Sequence, residues 1–468
     1  MKLLLIRPRP EKDTIGLQHV MIVEPLELEI LGATIRKNDS AVIVDMIIEK
    51  GTIEHFLSVH KPDILCITGY ITNVGTIKKM CKAAKIFNRL IITIVGGVHC
   101  EVCPDDFNYP AIDYRVVRNA VTVFPKILDH IEYGNELPAG VLKSGQNLGK
   151  ENLPLIDFNY VHPNRSLTSK YRDQYFYIFH DKVALIKATF GCPFKCNFCF
   201  CRKITEEQYW QRDIKDVIRE LKTINEEEIY IVDDDFLADR KYVEDFLNQL
   251  KKRNIKKKYL IYGRADFIVN NPELIARFRD NGLKTVIVGF ESFFEEELEL
   301  FTKNIDVDTN YKAMEILNKL EVDCYATVIL SPDWDKEQFR ALEIILKKLK
   351  IHYVNLQPLT PLPGTDFTVS KDQLLIEPDD YAKWDLAHIS ISPSKLSVAE
   401  YYKELLRLYG KVLFQSWVLK KYLLNISVKM LIKIIMGSWR VRRQYQMKIK
   451  EASGYHPDLR KEKLICQR

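Results

Sequence analysis

Several things are scarce or missing from this 468-residue chain, and each absence narrows its function. No uninterrupted apolar run reaches the length of a membrane-spanning helix. The N-terminus, Met1 to Pro8, is too short for a signal peptide and reads as a first buried strand. The 10 cysteines show no regular pairing pattern, which argues against a disulfide framework and for a reducing, cytoplasmic compartment. There is no low-complexity segment and no short internal repeat. Strong net charge is also missing: the formal value is +6, and it is unevenly spread. Residues 401–468 hold 16 Lys+Arg against 4 Asp+Glu, so the tail carries +12 and residues 1–400 carry −6. The body is therefore acidic, and no basic stretch with interleaved stacking aromatics surrounds the cysteine loop, which argues against a nucleic-acid partner.

What is present is concentrated in one loop. Cys192, Cys196 and Cys199 stand in Cys-x3-Cys-x2-Cys spacing, directly after the apolar run 183–188. Three thiolates this close hold three irons of a [4Fe–4S] cluster and leave the fourth open, able to chelate a small molecule and pass it an electron. The competing reading is structural zinc, completed by Cys201 or a distant histidine. Zinc sites usually come as paired Cys-x2–4-Cys arms, and a second arm is missing.

Around that loop the chain alternates strand and helix twice. Strand-like runs at 3–6, 41–46, 63–68 and 90–95 are apolar enough to be buried on both faces, with helical patterns at 24–37, 51–60 and 73–87 and a further pair near 112–132. This predicts a doubly wound, Rossmann-like parallel sheet over residues 1–133, with its ligand site at the carboxyl ends of the strands. Residues 134–182 read as an ordered linker. The alternation restarts with strands at 183–188, 228–232, 258–263, 284–290, 323–330 and 352–357, which predicts a partial (β/α)6 barrel over 183–370. Residues 371–468 turn helical and basic.

The cysteine loop, with the aromatic Phe198 just before its third cysteine, resembles that of the radical S-adenosylmethionine (SAM) enzymes. Residues after the later strands resemble that family's SAM contacts in order. Asp233-Asp234-Asp235 stands where a Gly-Gly-Glu-like turn meets the SAM amino group, with acidic residues replacing the glycines. Arg264 opens an Arg-Ala-Asp motif, and Glu291-Ser292 sits at the ribose-side motif. Each residue alone has a plainer reading, a solvated acidic turn or a salt-bridge arginine. The resemblance implies reductive cleavage of SAM to a 5′-deoxyadenosyl radical, fed by a reductase or by a flavodoxin or ferredoxin.

The first unit resembles the cobalamin-binding modules found upstream of such barrels in class B members. The residues concerned are Thr68, Gly69, Asn73 and Gly75 after the third strand, and Gly96, Gly97 and His99 after the fourth. Glycine pairs are also ordinary tight turns. The Asp-x-His-x-x-Gly sequence that supplies an axial histidine elsewhere is missing, so the resemblance implies cobalamin without a histidine ligand, its lower face covered by the 68–76 loop. Arg118-Asn119-Ala120-Val121 departs from the Gly-Glu-rich turn common at that point.

Glu24–Glu29, Ser331–Trp334, Thr360–Thr365 and Trp384–His388 are similar to one branch, the hopanoid C-3 methylase-like proteins. That similarity implies methyl transfer to an unactivated carbon of a hydrophobic, lipid-like substrate. The same scaffold serves cyclases and oxidoreductases of the anaerobic magnesium-protoporphyrin cyclase type, with or without cobalamin. A metal- or nucleic-acid-binding module without catalysis is a third reading, supported only by the basic tail. In that tail, 417–424 and 428–435 mix apolar residues with lysines in helical windows. Such segments lie on an anionic membrane face or pack on the barrel mouth with their lysines in water.

Overall fold

A computed structural model describes residues 1–16, 19–148, 153–351, 353–413, 415 and 426–454. The apolar runs of the first unit become β1 (Lys2–Arg7), β2 (Ser40–Asp45), β3 (Ile64–Thr68), β4 (Ile92–Gly96) and β5 (Tyr114–Val116). They pair in parallel in the order β2-β1-β3-β4-β5. Leu4, Ile6, Leu65 and Ile67 fill the core on one face of this sheet, and Leu3, Leu5, Ile64 and Cys66 fill the other. Burial on both faces is why these strands read as continuous apolar runs. From the edge strand β2 the chain crosses back to lay β3 on the other side of β1. The switch point therefore lies between β1 and β3, where a doubly wound sheet opens its ligand crevice.

The second unit is a six-stranded parallel sheet, β7 (Val183–Ile186), β8 (Glu228–Ile231), β9 (Lys258–Gly263), β10 (Leu283–Glu291), β11 (Asp323–Leu330) and β12 (Tyr353–Pro358), in sequence order. Its first and last strands do not pair, so the barrel is open. Alternate residues divide by side: Ile186, Ile231, Ile261 and Val288 pack outward under the helices, while Leu185, Tyr230, Leu260 and Tyr325 face inward.

Residues 134–182 do more than link the two units. Val141–Lys143 forms β6, an antiparallel strand added beside β5. Phe176–Tyr177 and His180–Asp181 pair with each other, and Phe176–Tyr177 also pairs with Met21–Ile22. This hairpin plugs the barrel: Tyr177 packs with its ring centroid 5.0 Å from that of Tyr230 and stacks on Tyr325 at 6.4 Å. Buried charges weld the plug to both units. Glu24 accepts from the Leu185 amide and pairs with Arg172, while Arg165 reaches Glu220 at 2.9 Å and Arg172 reaches Glu226 at 2.6 Å. Two- and three-residue strands carry too little periodicity to be read from sequence.

Beyond the barrel, residues 371–391 return to the first unit. Thr14 Oγ1 donates to the Ala382 carbonyl (3.0 Å), and the Ile15 amide donates to Asp385 Oδ2 (2.7 Å). Helices Val398–Leu413 and Val428–Ala452 pack against each other through Tyr402, Tyr409 and Tyr445. The 428–435 window lies in the second of these, whereas 417–424 lies outside the described residues. Among the described residues no helix is long and apolar enough to cross a membrane.

Candidate active site

The cysteine loop hangs from a short antiparallel clamp, Thr189–Phe190 against Trp210–Gln211. Gly191 makes the turn into the loop at φ +77°, and a Cβ there would lie 2.2 Å from the Gln208 carbonyl oxygen. Only glycine fits this position. Two of the three aspartates that follow β8 hold the base of the loop. Asp233 accepts from the Ala188 amide at 2.7 Å and from Thr189 Oγ1 at 2.9 Å, and Asp234 accepts from the Gly191 amide at 3.0 Å. On the far side, Asn197 donates its side-chain amide to the Leu300 carbonyl and receives the Asp366 and Phe367 amides. Phe198 packs edge-on against Phe301 at 5.6 Å.

The thiols themselves are set for a group larger than one ion. Among the described residues the only trio of His, Cys, Asp or Glu ligand atoms all within 4.8 Å of one another is His99, Cys103 and Asp106. At least one pair of the Cys192, Cys196 and Cys199 sulfurs therefore stands more than 4.8 Å apart. A tetrahedral zinc with bonds of about 2.3 Å would bring them to roughly 3.8 Å of each other. Burial pushes Cys192 up to about 12 and raises Cys196, which Lys303 and Arg264 partly counteract. Cys199 is lowered, chiefly by a hydrogen bond from the neighbouring Cys201 thiol, which is itself pushed up. Three thiols on one loop, Cys196 buried and Cys192 and Cys199 half-buried, beside two cations suited to their ionised form, fit a cluster with three protein ligands.

Arg264 is nearly buried. Its guanidinium stacks over Phe194 at 3.8 Å, points Nη1 at Cys196 Sγ (3.8 Å) and donates Nη2 to the Lys303 carbonyl at 2.9 Å. Glu291 sits where the β10–β11 register slips, in the left-handed region at φ +63°, and its carboxylate binds Lys303 Nζ at 2.9 Å. The bulge aims this side chain at the loop, as bulges near sites do. Ser292 is turned the other way: it is fully buried, its hydroxyl donates to Glu297, and it accepts from the Phe294 amide at 3.0 Å. Asp235 is the member of the acidic turn with capacity to spare. Its Oδ1 accepts from the Leu237 amide at 3.1 Å, while Oδ2 is buried without a partner. Burial pushes this carboxyl up to about 7 against the pull of Arg264. It borders a cavity of about 170 Å³ between Phe194 and Asp266. An orphaned carboxylate oxygen beside the thiols fits the ammonium of an amino acid.

The carboxyl end of the first sheet faces this loop. Gly97 (φ +99°) lies so close to the preceding loop that a Cβ would meet Thr68 Oγ1 at 2.6 Å and the Gly69 nitrogen at 3.0 Å. Asn73 is buried and accepts the Tyr70 amide at 3.1 Å, and at Gly75 a Cβ would meet the Glu11 carboxylate at 2.3 Å. Gly96 has the most room of the four. His99 is 4% exposed with Nε2 engaged by Asp106 at 2.7 Å, so its ring is not offered to a cobalt ion as an open axial ligand.

Where the two edges meet lie groups that the sequence did not single out. Tyr70 is 62% exposed and Glu27 is also exposed, yet surrounding protein desolvates both, raising Glu27 and pushing Tyr70 up to about 12. The negative charges of Cys201 and Asp234 add to the rise at Tyr70. Lys187 points in from the end of β7, 3.8 Å from Asp234, and that attraction offsets its burial cost. Glu101, from the helix Val98–Val102, is pushed by burial up to about 7. Arg118 crosses the interface to pair with Glu206. A lysine ending an otherwise apolar strand was the one available sequence signal. Lys303, Tyr70 and Glu27 sit in unremarkable contexts.

Comparison with known proteins agrees with this two-edged arrangement. The family model "Radical SAM superfamily" matches residues 186–343, and the model "B12 binding domain" matches residues 14–128. The chain is 26% identical over 416 residues to the hopanoid C-3 methylase of Methylococcus capsulatus, covering 87% of this chain and 79% of that protein. It is 24% identical to an anaerobic magnesium-protoporphyrin IX monomethyl ester cyclase of Rubrivivax gelatinosus, covering 73% and 64%. Among solved structures, the cobalamin-dependent SAM radical enzyme OxsB, with aqua-cobalamin and SAM bound, superposes with a TM-score of 0.66 at 15% identity, covering 93% and 72%. The methyltransferase TsrM from Kitasatospora setae, with cobalamin and a [4Fe–4S] cluster, gives 0.64 at 13%, covering 97% and 99%. With both domain models in the same order as the two units of the fold, the chain belongs to the cobalamin-binding radical SAM enzymes, whose cofactors are a [4Fe–4S] cluster, S-adenosylmethionine and cobalamin.

Proposed function

We propose that this enzyme methylates an unactivated carbon of a hydrophobic, lipid-like molecule held between the two strand edges. The observation that carries the reading is that the carboxyl end of the first sheet packs on the cysteine loop: the helix Val98–Val102 after β4 contacts Cys201–Ile204, and Arg118 pairs with Glu206. In this reading Cys192, Cys196 and Cys199 hold the cluster and Asp235 Oδ2 receives the SAM ammonium. Asp234 and Arg264 keep the loop and its charge in place, and Glu291, anchored by Lys303, borders the sugar. Asp233 and Ser292 act from behind, each bonded within the protein. Phe198 supplies an apolar wall. Thr68, Gly69, Asn73, Gly75, Gly96, Gly97 and the backbone at His99 form the cobalamin edge. When bound, the cofactors supply a hydrogen-abstracting radical and a methyl group. The protein's part is orientation and exclusion of quenchers, with the plug closing the barrel floor. Similarity to the hopanoid methylase supports the substrate class.

Anaerobic reconstitution with iron, sulfide and cobalamin, followed by mass spectrometry of polycyclic lipids incubated with SAM, tests this reading. A product heavier by one methyl group is expected. Hydrogen loss or ring closure without added carbon would replace the reading with the cyclase chemistry of the Rubrivivax relative.

A peripheral membrane contact belongs to the same proposal. On the helix Val428–Ala452, Met430, Gly437 and Tyr445 face the body, while Val428, Ile432, Ile435, Met436 and Trp439 are exposed on other faces. Lys429, Arg440, Arg442 and Arg443 interleave with this stripe. An apolar stripe with basic neighbours suits an anionic bilayer surface. Vesicle flotation at low salt should retain the protein on anionic but not zwitterionic lipid. Equal indifference to both would remove the membrane contact and leave the stripe as a helix face in water.

A further inference from the structure

The side chains of Cys103 and His99 take no part in the chemistry proposed above, yet they converge with Asp106. The helix Val98–Val102 ends at Cys103, and the 3₁₀ turn Pro104–Phe107 begins directly after it. The spacing His99-x3-Cys103-x2-Asp106 puts the three residues at i, i+4 and i+7, and the break between helix and turn falls at Cys103 itself (φ −134°, ψ 69°). The Cys103 amide donates to the His99 carbonyl (2.8 Å) and the Asp106 amide to the Cys103 carbonyl (3.2 Å), so backbone hydrogen bonds maintain that alignment. The three ligand atoms all lie within 4.8 Å of one another. His99 is 4% exposed and its ring is edge-on to Phe107 at 5.8 Å and Tyr381 at 6.4 Å.

We propose that His99, Cys103 and Asp106 form a zinc site at the cobalamin edge of the first unit, separate from the cluster cysteines. Nitrogen, sulfur and carboxylate oxygen are the three ligand types zinc takes. Ligand atoms around a tetrahedral zinc stand roughly 3.3–3.8 Å apart, so the His99–Asp106 pair, now 2.7 Å apart, opens by well under an ångström to admit the ion. On binding, the Cys103 thiol gives its proton to solvent. The hydrogen that His99 Nε2 shares with Asp106 leaves that nitrogen, so that the neutral ring carries its proton on Nδ1, and the Nε2–Asp106 hydrogen bond is replaced by two bonds to the metal. No electron moves. One thiolate and one carboxylate neutralise the ion's charge. The Tyr381 hydroxyl, which donates to Asp106 Oδ1 at 3.0 Å, holds the carboxylate from behind. A metal with one open position remains, filled by water. Such a site staples the segment after β4 to the turn on which Tyr381 rests, and so ties the return of residues 371–391 to the cobalamin edge. It does not depend on what the enzyme methylates.

The test uses full-length protein with its iron–sulfur cluster already reconstituted, so that Cys192, Cys196 and Cys199 are occupied. Zinc is titrated in competition with a chromophoric chelator, and cobalt(II) is added in parallel as a spectroscopic probe. One tight zinc per chain beyond the iron is expected, with a sulfur-to-cobalt charge-transfer band and tetrahedral ligand-field bands. C103S should lose that charge-transfer band and more than ~100-fold in zinc affinity, exceeding the 10–100-fold typical of residues behind the ligands. D106N should weaken zinc while keeping the sulfur band. C100A, which removes a buried thiol that points at the Val95 carbonyl, should change neither. Wild-type protein that binds zinc no tighter than C103S, or cobalt without a thiolate band, would overturn the site. The wild-type result stands even if a variant misfolds.

Discussion

Replacing Asp235 by asparagine should move stability and SAM binding in opposite directions. The carboxyl is 2% exposed, and burial displaces it from 3.8 up to about 7, with Arg264 and the Leu237 amide pulling the other way. At about 1.36 kcal/mol per pH unit, that displacement amounts to about 4 kcal/mol against the ionised folded state. The folded protein holds this proton more tightly than the unfolded chain does. The penalty is therefore absent below pH 3.8, grows as pH rises, and is complete above pH 7. Asparagine is neutral throughout and keeps Oδ1 for the Leu237 amide. Its buried, unpaired NH2 costs about 1–2 kcal/mol. The SAM-free variant should thus exceed wild type by about 2 kcal/mol at pH 8, with the difference vanishing near pH 5. SAM should bind at least ~30-fold more weakly, the equivalent of about 2 kcal/mol for a lost buried charge pair. Denaturant melts of the cofactor-free protein at both pH values, with equilibrium dialysis of SAM on cluster-loaded protein, give the two readouts. A variant less stable than wild type at pH 8, with unchanged SAM affinity, would show that Asp235 is an ordinary structural carboxylate.

Four further outcomes follow from the site. G191A should fail to retain iron, because a Cβ 2.2 Å from the Gln208 carbonyl adds a clash to about 1–2 kcal/mol of left-handed strain; iron analysis after reconstitution checks it, and full loading would contradict it. K303M leaves the Glu291 carboxylate buried and alone, which should cost about 3–5 kcal/mol in unfolding experiments, with much of the loss restored in K303M/E291Q. C192A, C196A and C199A should each abolish the broad absorption near ~400 nm of a thiolate-bound cluster. C201A should keep that absorption, since Cys201 only donates a hydrogen bond to Cys199.

The backbone was legible where burial leaves a long trace. The runs 258–263 and 323–330 appear as β9 and β11 at those bounds, because parallel strands covered on both faces stay apolar for their whole length. Asn271-Pro272 starts the helix Pro272–Asp280, and Gly282, at φ +110°, follows its end, as local backbone chemistry predicts. The plug was not legible: Tyr177 and His180 belong to two-residue strands whose partners are far away in sequence. The site divides in the same way. Cysteine spacing is local and announces itself. The direction of a side chain is not local: Ser292 is drawn inward by Glu297, and Glu291 is re-aimed by a register slip against β11. Tyr70 and Glu27 are desolvated by surrounding protein although neither stands in a buried run of sequence.

Methyl transfer by two cofactors held at the two strand edges is tested most directly by the fate of SAM. Reconstituted enzyme given SAM with a deuterated methyl group, cobalamin, reductant and a lipid substrate should release 5′-deoxyadenosine and S-adenosylhomocysteine in equal amounts, with the deuterium in the lipid. 5′-Deoxyadenosine and product formed without S-adenosylhomocysteine would contradict it, leaving a radical enzyme that transfers no methyl group.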